Sequence, residues 1–357
     1  MAKGESLNSD RDSSVGTLIA EPGDDAACQN SLKSDRPGRY SIFERCLRPW
    51  SAFENAATSA KPHWFKDLLS PWRPSGHCSG DAGLRLAIRN GSLNFYRLGQ
   101  SIARVECVSG DLIADVHYKY VLEKRPAGMS EKSPYLRLTA DGVFFRGARV
   151  ADYKGLSTLL QWIATAGKKH SHAEKSIVDE LVEKNEHVID LEMAIPAWAH
   201  SKSAVRMDLV AIENGTVVFW EAKTIVNSEI RCRAEFKADK SPRVLKQLAN
   251  YRLFLAQPKH PDLVESAYRN TAELLVKLRA LADAIGPAIS LGPSIVAASR
   301  AKILGVAPQA ALVVVDLPAD KKRAWASWKA DHESKLSGKI PMRVLESPGP
   351  LVYPGAP

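Results

Sequence analysis

The chain reads as an α/β protein, and three features of its 357 residues predict that class. Between Arg206 and Thr224 two apolar runs flank Asn214-Gly215, the strongest short-range hairpin signal, because a type I′ turn needs positive φ at both central residues. On either side of this hairpin, Ala173–Asn185 and Arg243–Leu255 carry apolar residues at helical spacing. From Leu84 to Val150, short alternating runs are punctuated by turn signals at Asn90-Gly91 and Asp141-Gly142, the pattern of a β-rich unit.

Taken in order, residues 1–80 are expected to be largely disordered or irregular. Met1–Tyr40 is rich in Ser, Asp, Gly and Lys with few large apolar groups. The chain should stay irregular through Pro71-Trp-Arg-Pro-Ser-Gly76, with Phe43, Leu47, Trp50, Trp64, Phe65 and Leu68 available as small docking segments. Residues 81–150 form the β-rich unit, expected to be a small separate domain rather than an extension of the neighbouring sheet. Its Arg85, Arg89, Tyr96, Arg97, Arg104 and Lys119 offer charge and stacking surface toward a substrate. Leu156–Ala166 reads as a connecting helix, Asp262–Ile285 as a further helix, and residues 336–357, ending in the Pro- and Gly-rich Ser347–Pro357, as a tail. The main domain is placed at 151–335; a hydrophobic fraction of 45% suffices for a real core.

The hairpin is the most informative stretch. With a two-residue loop Glu213 faces Thr216, and counting back along the ladder sets Asp208 across from Glu221, with Lys223 two residues further along the same face. Directly opposed like charges, with Cβ atoms roughly 4.5–5.5 Å apart, destabilise a sheet unless something offsets them. A divalent cation would do so, since hard ions such as Mg²⁺ bind through one or two carboxylates and keep several waters. The plain alternative is an ion pair on an exposed strand face, in which Lys223 neutralises one acid. Glu235-Phe-Lys237 and Glu333-Ser-Lys335 repeat the Glu-x-Lys spacing, but neither follows a hairpin on an apolar strand.

Glu174 falls near the centre of the apolar face of Ala173–Asn185, whereas Asp179 and Glu180 fall to either side. A buried carboxylate needs a partner, and a cation held by Asp208 and Glu221 is one candidate; solvation in the first helical turn is the other. In the helix that Ser241-Pro242 opens, Gln247 and Tyr251 lie one turn apart, where they could orient a phosphate or the lysine, or simply border the apolar face.

Together these residues resemble the PD-(D/E)XK nuclease superfamily, the restriction-endonuclease-like phosphodiesterases, and within it the RecB-like branch. That pattern is an acid on the first core helix, an acid opening the second core strand, Glu-x-Lys on the third and Gln-x-x-x-Tyr on the next helix. It maps to Glu174, Asp208, Glu221, Lys223, Gln247 and Tyr251. The resemblance covers roughly residues 170 to 325 and implies a mixed β-sheet flanked by helices. Val188–Ala194 would be its first strand, the hairpin its next two and Ala311–Asp316 a later central strand. Met207 stands where the pattern has proline, and the segment between Tyr251 and Ala311 looks like an insertion. The implied activity is metal-dependent hydrolysis of DNA phosphodiesters, in repair, restriction or defence. Asp208, Glu221 and the Ala222 carbonyl would hold Mg²⁺ or Mn²⁺, Glu174 would assist directly or through water, and Lys223 would position the attacking water or neutralise developing charge. A nucleic-acid-binding or interaction protein on the same scaffold, without cleavage, is the alternative.

Composition agrees with a polyanionic partner. The formal net charge is +9 with a pI of about 9.2. Arg231, Arg233, Lys237, Lys240, Arg243 and Lys246 lead into the Gln247 helix as a candidate backbone-gripping ridge. After Lys321-Lys-Arg323, Trp325 and Trp328 read as packing residues. Cysteines at 28, 46, 78, 107 and 232 lack Cys-x-x-Cys spacing, which argues against a zinc site or disulfide framework and for a reducing cytoplasm. His170 and His172 beside Glu174 read as solvent-exposed rather than as zinc ligands. A targeting signal, a membrane span, a Walker loop and a Gly-x-Ser-x-Gly elbow are all missing from the sequence.

Overall fold

The computed structural model describes residues 43–130, 133–170, 173–195, 205–231, 242–316 and 327–355. The predicted disorder of Met1–Tyr40 lies outside them. Among the described residues two short helices come first, α1 (Trp50–Thr58) and α2 (Trp64–Leu69), where irregular chain was expected. Phe53, Trp64, Phe65, Leu68 and Leu69 are buried along them, as are the flanking Phe43 and Leu47. Burying a large apolar side chain contributes roughly 1.5–3 kcal/mol, so packing holds helices too short to stand alone.

The β-rich stretch folds as a seven-stranded antiparallel meander in sequence order. Its strands are β1 (Arg85–Arg89), β2 (Ser92–Arg97), β3 (Gln100–Val108), β4 (Asp111–His117), β5 (Tyr135–Thr139), β6 (Gly142–Phe145) and β7 (Ala148–Ala151). Several polar residues assigned to substrate contact turn inward instead. Arg85 and Arg97 are 2% and 5% exposed, and Tyr96 is buried. Arg85 pairs with Asp179 at 3.0 Å, and Arg89 pairs with Asp190 at 2.6 Å. Lys119 donates to Gln100 at 3.0 Å. Asp179, expected beside the apolar helix face, is buried through this pairing and a hydrogen bond from Ser79 at 2.9 Å.

Helices α3 (Leu156–His170) and α4 (Ala173–Lys184) lead into the second sheet. Of its first strands, β8 (Val188–Ile195), β9 (Val205–Glu213) and β10 (Thr216–Thr224), β9 lies antiparallel to both neighbours. Asn214 and Gly215 take φ of 50° and 74°, as the predicted type I′ turn requires, and Thr216 pairs with Glu213. Next come α5 (Arg243–Leu255), α6 (His260–Asp283), α7 (Pro293–Ala298), the two-residue β11 (Gly305–Val306) and β12 (Ala311–Val315). β12 lies parallel to β10, and β13 (Met342–Leu345) lies parallel to β12. The order β13-β12-β10-β9-β8, with β11 beside β10, is a mixed sheet flanked by helices, as the α/β assignment anticipated.

Alternation along the central strand divides the core. Val218, Trp220 and Ala222 join Leu209 and Ala211 with Ile177, Val178, Leu181 and Val182 of α4 on one face. Val217 and Phe219 join Val210 and Ile212 with Leu248 and Tyr251 of α5 and Tyr268 of α6 on the other. Two sequence expectations change here. The segment after Tyr251 is part of the core: Tyr268 stacks edge-on to Phe219 at 6.0 Å and donates to Asp190 at 3.1 Å. Residues 342–351 are no tail, because β13 extends the sheet and the buried Leu351 donates its N–H to Asn185 at 2.7 Å. A four-residue strand set among Gly and Pro carries too little periodicity to announce itself. Trp328 is buried as predicted, and Trp325 lies outside the described residues. Both sheets belong to one compact unit, Pro37–Pro357.

Candidate active site

Strand β10 is hydrogen-bonded on both sides, so its side chains have nowhere to go but the two covered faces. On the face of Val217 and Phe219 the apolar run ends in Glu221 and Lys223, which are 2% and 8% exposed. Two ionisable groups are thereby held in the interior by the strand's own period. The paired ladder with β9 stops at Trp220 and Leu209, one step short of the predicted Glu221–Asp208 pair. Asp208 explains the stop: its Oδ2 accepts the N–H of Ala222 at 2.7 Å in place of a ladder partner. On the far side of β9, the ladder passes from Leu191–Leu209 to Met193–Met207, and Glu192 between them takes φ of 50°.

Lys223 is the hub. Its Nζ stands 2.6 Å from Glu221 Oε1, 3.3 Å from Glu174 Oε1 and 3.5 Å from Glu229 Oε2. Burial works against the ammonium, yet Asp208, Glu221 and Glu174 outweigh it and hold the lysine pKa above its ordinary value. The acids respond in the opposite sense. Burial pushes the Asp208 pKa up, against the pull of Lys223 and the Ala222 N–H. Burial also pushes Glu221 well up, and the Asp208 charge adds to the shift. Glu221 Oε2 is buried with no hydrogen-bond partner. Two carboxylates thus compete for one region with a single lysine between them.

Each sequence-predicted residue has a place in this cluster. Glu174 is not fully inside: its side chain is 38% exposed and ties α4 to Lys223. Gln247 favours the charged form of Glu221 and donates to the Arg206 carbonyl at 3.0 Å. Tyr251 is buried against Phe219, 5.7 Å between ring centres, and donates to the Met193 carbonyl at 3.4 Å. Gln247 and Tyr251 therefore brace the backbones of β9 and β8 close to Asp208. Burial, followed by the Glu221 charge, raises the Tyr251 pKa well above the ordinary phenol value, so it stays a neutral donor.

Three residues of the site were not singled out as catalytic from sequence. Asn227 donates to both oxygens of Glu174, at 3.1 and 3.3 Å, and its Oδ1 accepts the Glu229 N–H at 2.8 Å. Glu229 joins Lys223 to Arg243, which it meets at 3.3 Å. The available signal was Asn227-Ser-Glu229 directly after the strand, an Asn that caps the 3₁₀ turn Ser228–Ile230. Of the basic ridge, Arg243 and Lys246 are exposed and Arg231 is half-buried, while Arg233, Lys237 and Lys240 lie outside the described residues. So does His172.

Among the described residues no three His, Cys, Asp or Glu side chains form a ready-made metal cage. A hard divalent ion does not require one, because waters and substrate oxygens complete its shell. The donor set is all oxygen, and the unpartnered Glu221 Oε2 is an open acceptor within it. Four carboxyl groups gather around Lys223 and Arg243, and the oxygens of Asp208 and Glu221 suit a hard divalent ion. Set against known protein families, curated proteins and solved structures, the chain matches none.

Proposed function

We propose that this chain is a metal-dependent phosphodiesterase acting on DNA, a deoxyribonuclease with a restriction-endonuclease-like site of the PD-(D/E)XK type and RecB-like branch. The observation that carries the proposal is Glu221: a buried carboxylate with one orphan oxygen, beside Asp208 and in contact with Lys223. A structural ion pair does not need the second acid, whose repulsion makes the apo site less stable. Asp208 and Glu221, with the Ala222 carbonyl between Glu221 and Lys223, would hold Mg²⁺ or Mn²⁺. Such an ion lowers the pKa of bound water and polarises a phosphoryl oxygen.

The chain's own residues do the rest. Lys223, held protonated by the surrounding acids, would position the attacking water or neutralise negative charge on the phosphorane-like transition state. Glu174 reaches the same ammonium from α4 and accepts from Asn227. Gln247 and Tyr251 brace β9 and β8 close to Asp208, and Gln247 also favours the Glu221 carboxylate. The net charge of +9 and the exposed Arg243 and Lys246 at the start of α5 support a polyanionic substrate. No described helix is long and apolar enough to cross a membrane.

Purified protein with Mg²⁺ or Mn²⁺ is expected to cut single-stranded, duplex or branched DNA. Glu221→Ala or Lys223→Ala should abolish cutting while circular dichroism stays native. Salt-sensitive DNA binding without cutting, in wild type and variants alike, would favour a binding protein on this scaffold and overturn the hydrolase.

A further inference from the structure

The loop that follows β10 holds in place the more exposed of the two half-buried acids that meet Lys223. Glu174 sits in the first turn of α4, and its side chain is 38% exposed. A glutamate in such a position samples many rotamers, and ordering it costs side-chain entropy. Asn227 opposes that freedom with contacts from one amide nitrogen to both carboxylate oxygens, at 3.1 and 3.3 Å. The other end of the same side chain is also committed, since Oδ1 accepts the Glu229 N–H at 2.8 Å and caps the 3₁₀ turn Ser228–Ile230. The backbone N–H of Asn227 donates to the Thr224 carbonyl at 2.9 Å, which ties the loop to the last residue of β10. A rigid path therefore runs from the central strand through Asn227 to the Glu174 carboxylate, and from there 3.3 Å to Lys223.

We infer that Asn227 is a positioning residue of the site: it fixes the Glu174 carboxylate at Lys223, and through it sets divalent-cation affinity and turnover. The inference rests on the hydrolase assignment above and adds a residue that the acid-acid-lysine pattern does not contain. Serine separates the two jobs of the side chain. Its hydroxyl still accepts the Glu229 N–H as a cap, but it is too short and carries no amide to reach Glu174.

The test is a double-mutant cycle on the full chain with Asn227→Ser, Glu174→Ala and the pair, reading kcat on DNA and Mn²⁺ affinity by calorimetry. Melting curves show that each variant is folded. Asn227→Ser is expected to lower Mn²⁺ affinity or kcat about 10–100-fold, as loss of an outer-shell partner does, with KM for DNA little changed. In the Glu174→Ala background the same substitution should cost nothing further, because its only route is already cut. An additive loss in that background, a wild-type Asn227→Ser or a wild-type Glu174→Ala would overturn the inference and leave the hydrolase assignment standing. A wild-type protein that neither takes up Mn²⁺ nor cuts DNA would overturn both.

Discussion

Replacing Glu221 by glutamine should make the cation-free protein more stable and the cation-bound protein less so. The side chain is 2% exposed, Oε2 has no hydrogen-bond partner, and Asp208 repels the charge. Taking a carboxylate out of water costs several kcal/mol even after relaxation. The 2.6 Å contact with Lys223 recovers about 1.5–3 kcal/mol as a charged hydrogen bond. Glutamine keeps the shape and removes the charge, so a gain on the order of 1 kcal/mol is expected in chelator, or about 2 °C in Tm for a unit of this size. Mn²⁺ at 100 times its Kd adds about 2.7 kcal/mol to the wild type by mass action. If the substitution weakens affinity about 100-fold, the same Mn²⁺ concentration adds only about 0.4 kcal/mol to the variant. The two melting curves should therefore cross over between EDTA and Mn²⁺, and differential scanning fluorimetry reads both. A Glu221→Gln protein that melts several degrees lower in EDTA would show that the Lys223 pair outweighs the desolvation. One that gains as much from Mn²⁺ as the wild type would remove Glu221 from the metal site.

Two further outcomes follow from the electrostatics. Asp208 and Glu221 have folded-state pKa values above the ordinary carboxylate value, so the folded protein holds these protons more tightly than the unfolded chain. The stability they contribute is full below about pH 4 and is lost as pH rises through the folded values. In EDTA, the Tm of wild type relative to an Asp208→Asn/Glu221→Gln variant should accordingly fall with rising pH, and a flat difference would refute the shifts. Elsewhere, the fully buried Asp190 meets Arg89 at 2.6 Å and Arg45 at 3.4 Å. Asp190→Asn leaves the buried Arg45 and the half-buried Arg89 without this counterion and should cost about 3–5 kcal/mol in urea unfolding, whereas a loss below about 1 kcal/mol would mean that water reaches them.

The sequence by itself determined what depends on near neighbours. Asn214-Gly215 dictates a two-residue turn, the turn sets the register Thr216–Glu213, and the period of the strand then places Glu221 and Lys223 on one face. Helices over Ala173–Lys184 and Arg243–Leu255 were legible from their apolar spacing, with Gln247 and Tyr251 already one turn apart. Tertiary structure decided everything that rests on distant burial. Arg85 and Arg89 look like substrate-facing cations in an alternating strand, and only Asp179 and Asp190, 94 and 101 residues on, draw them inside. β13 exists because β12 offers it an open edge, and Asn227 matters because Glu174, 53 residues away, folds back onto it. Local period and turn chemistry are written in consecutive residues, whereas desolvation and charge pairing belong to whichever segments the folded chain brings together.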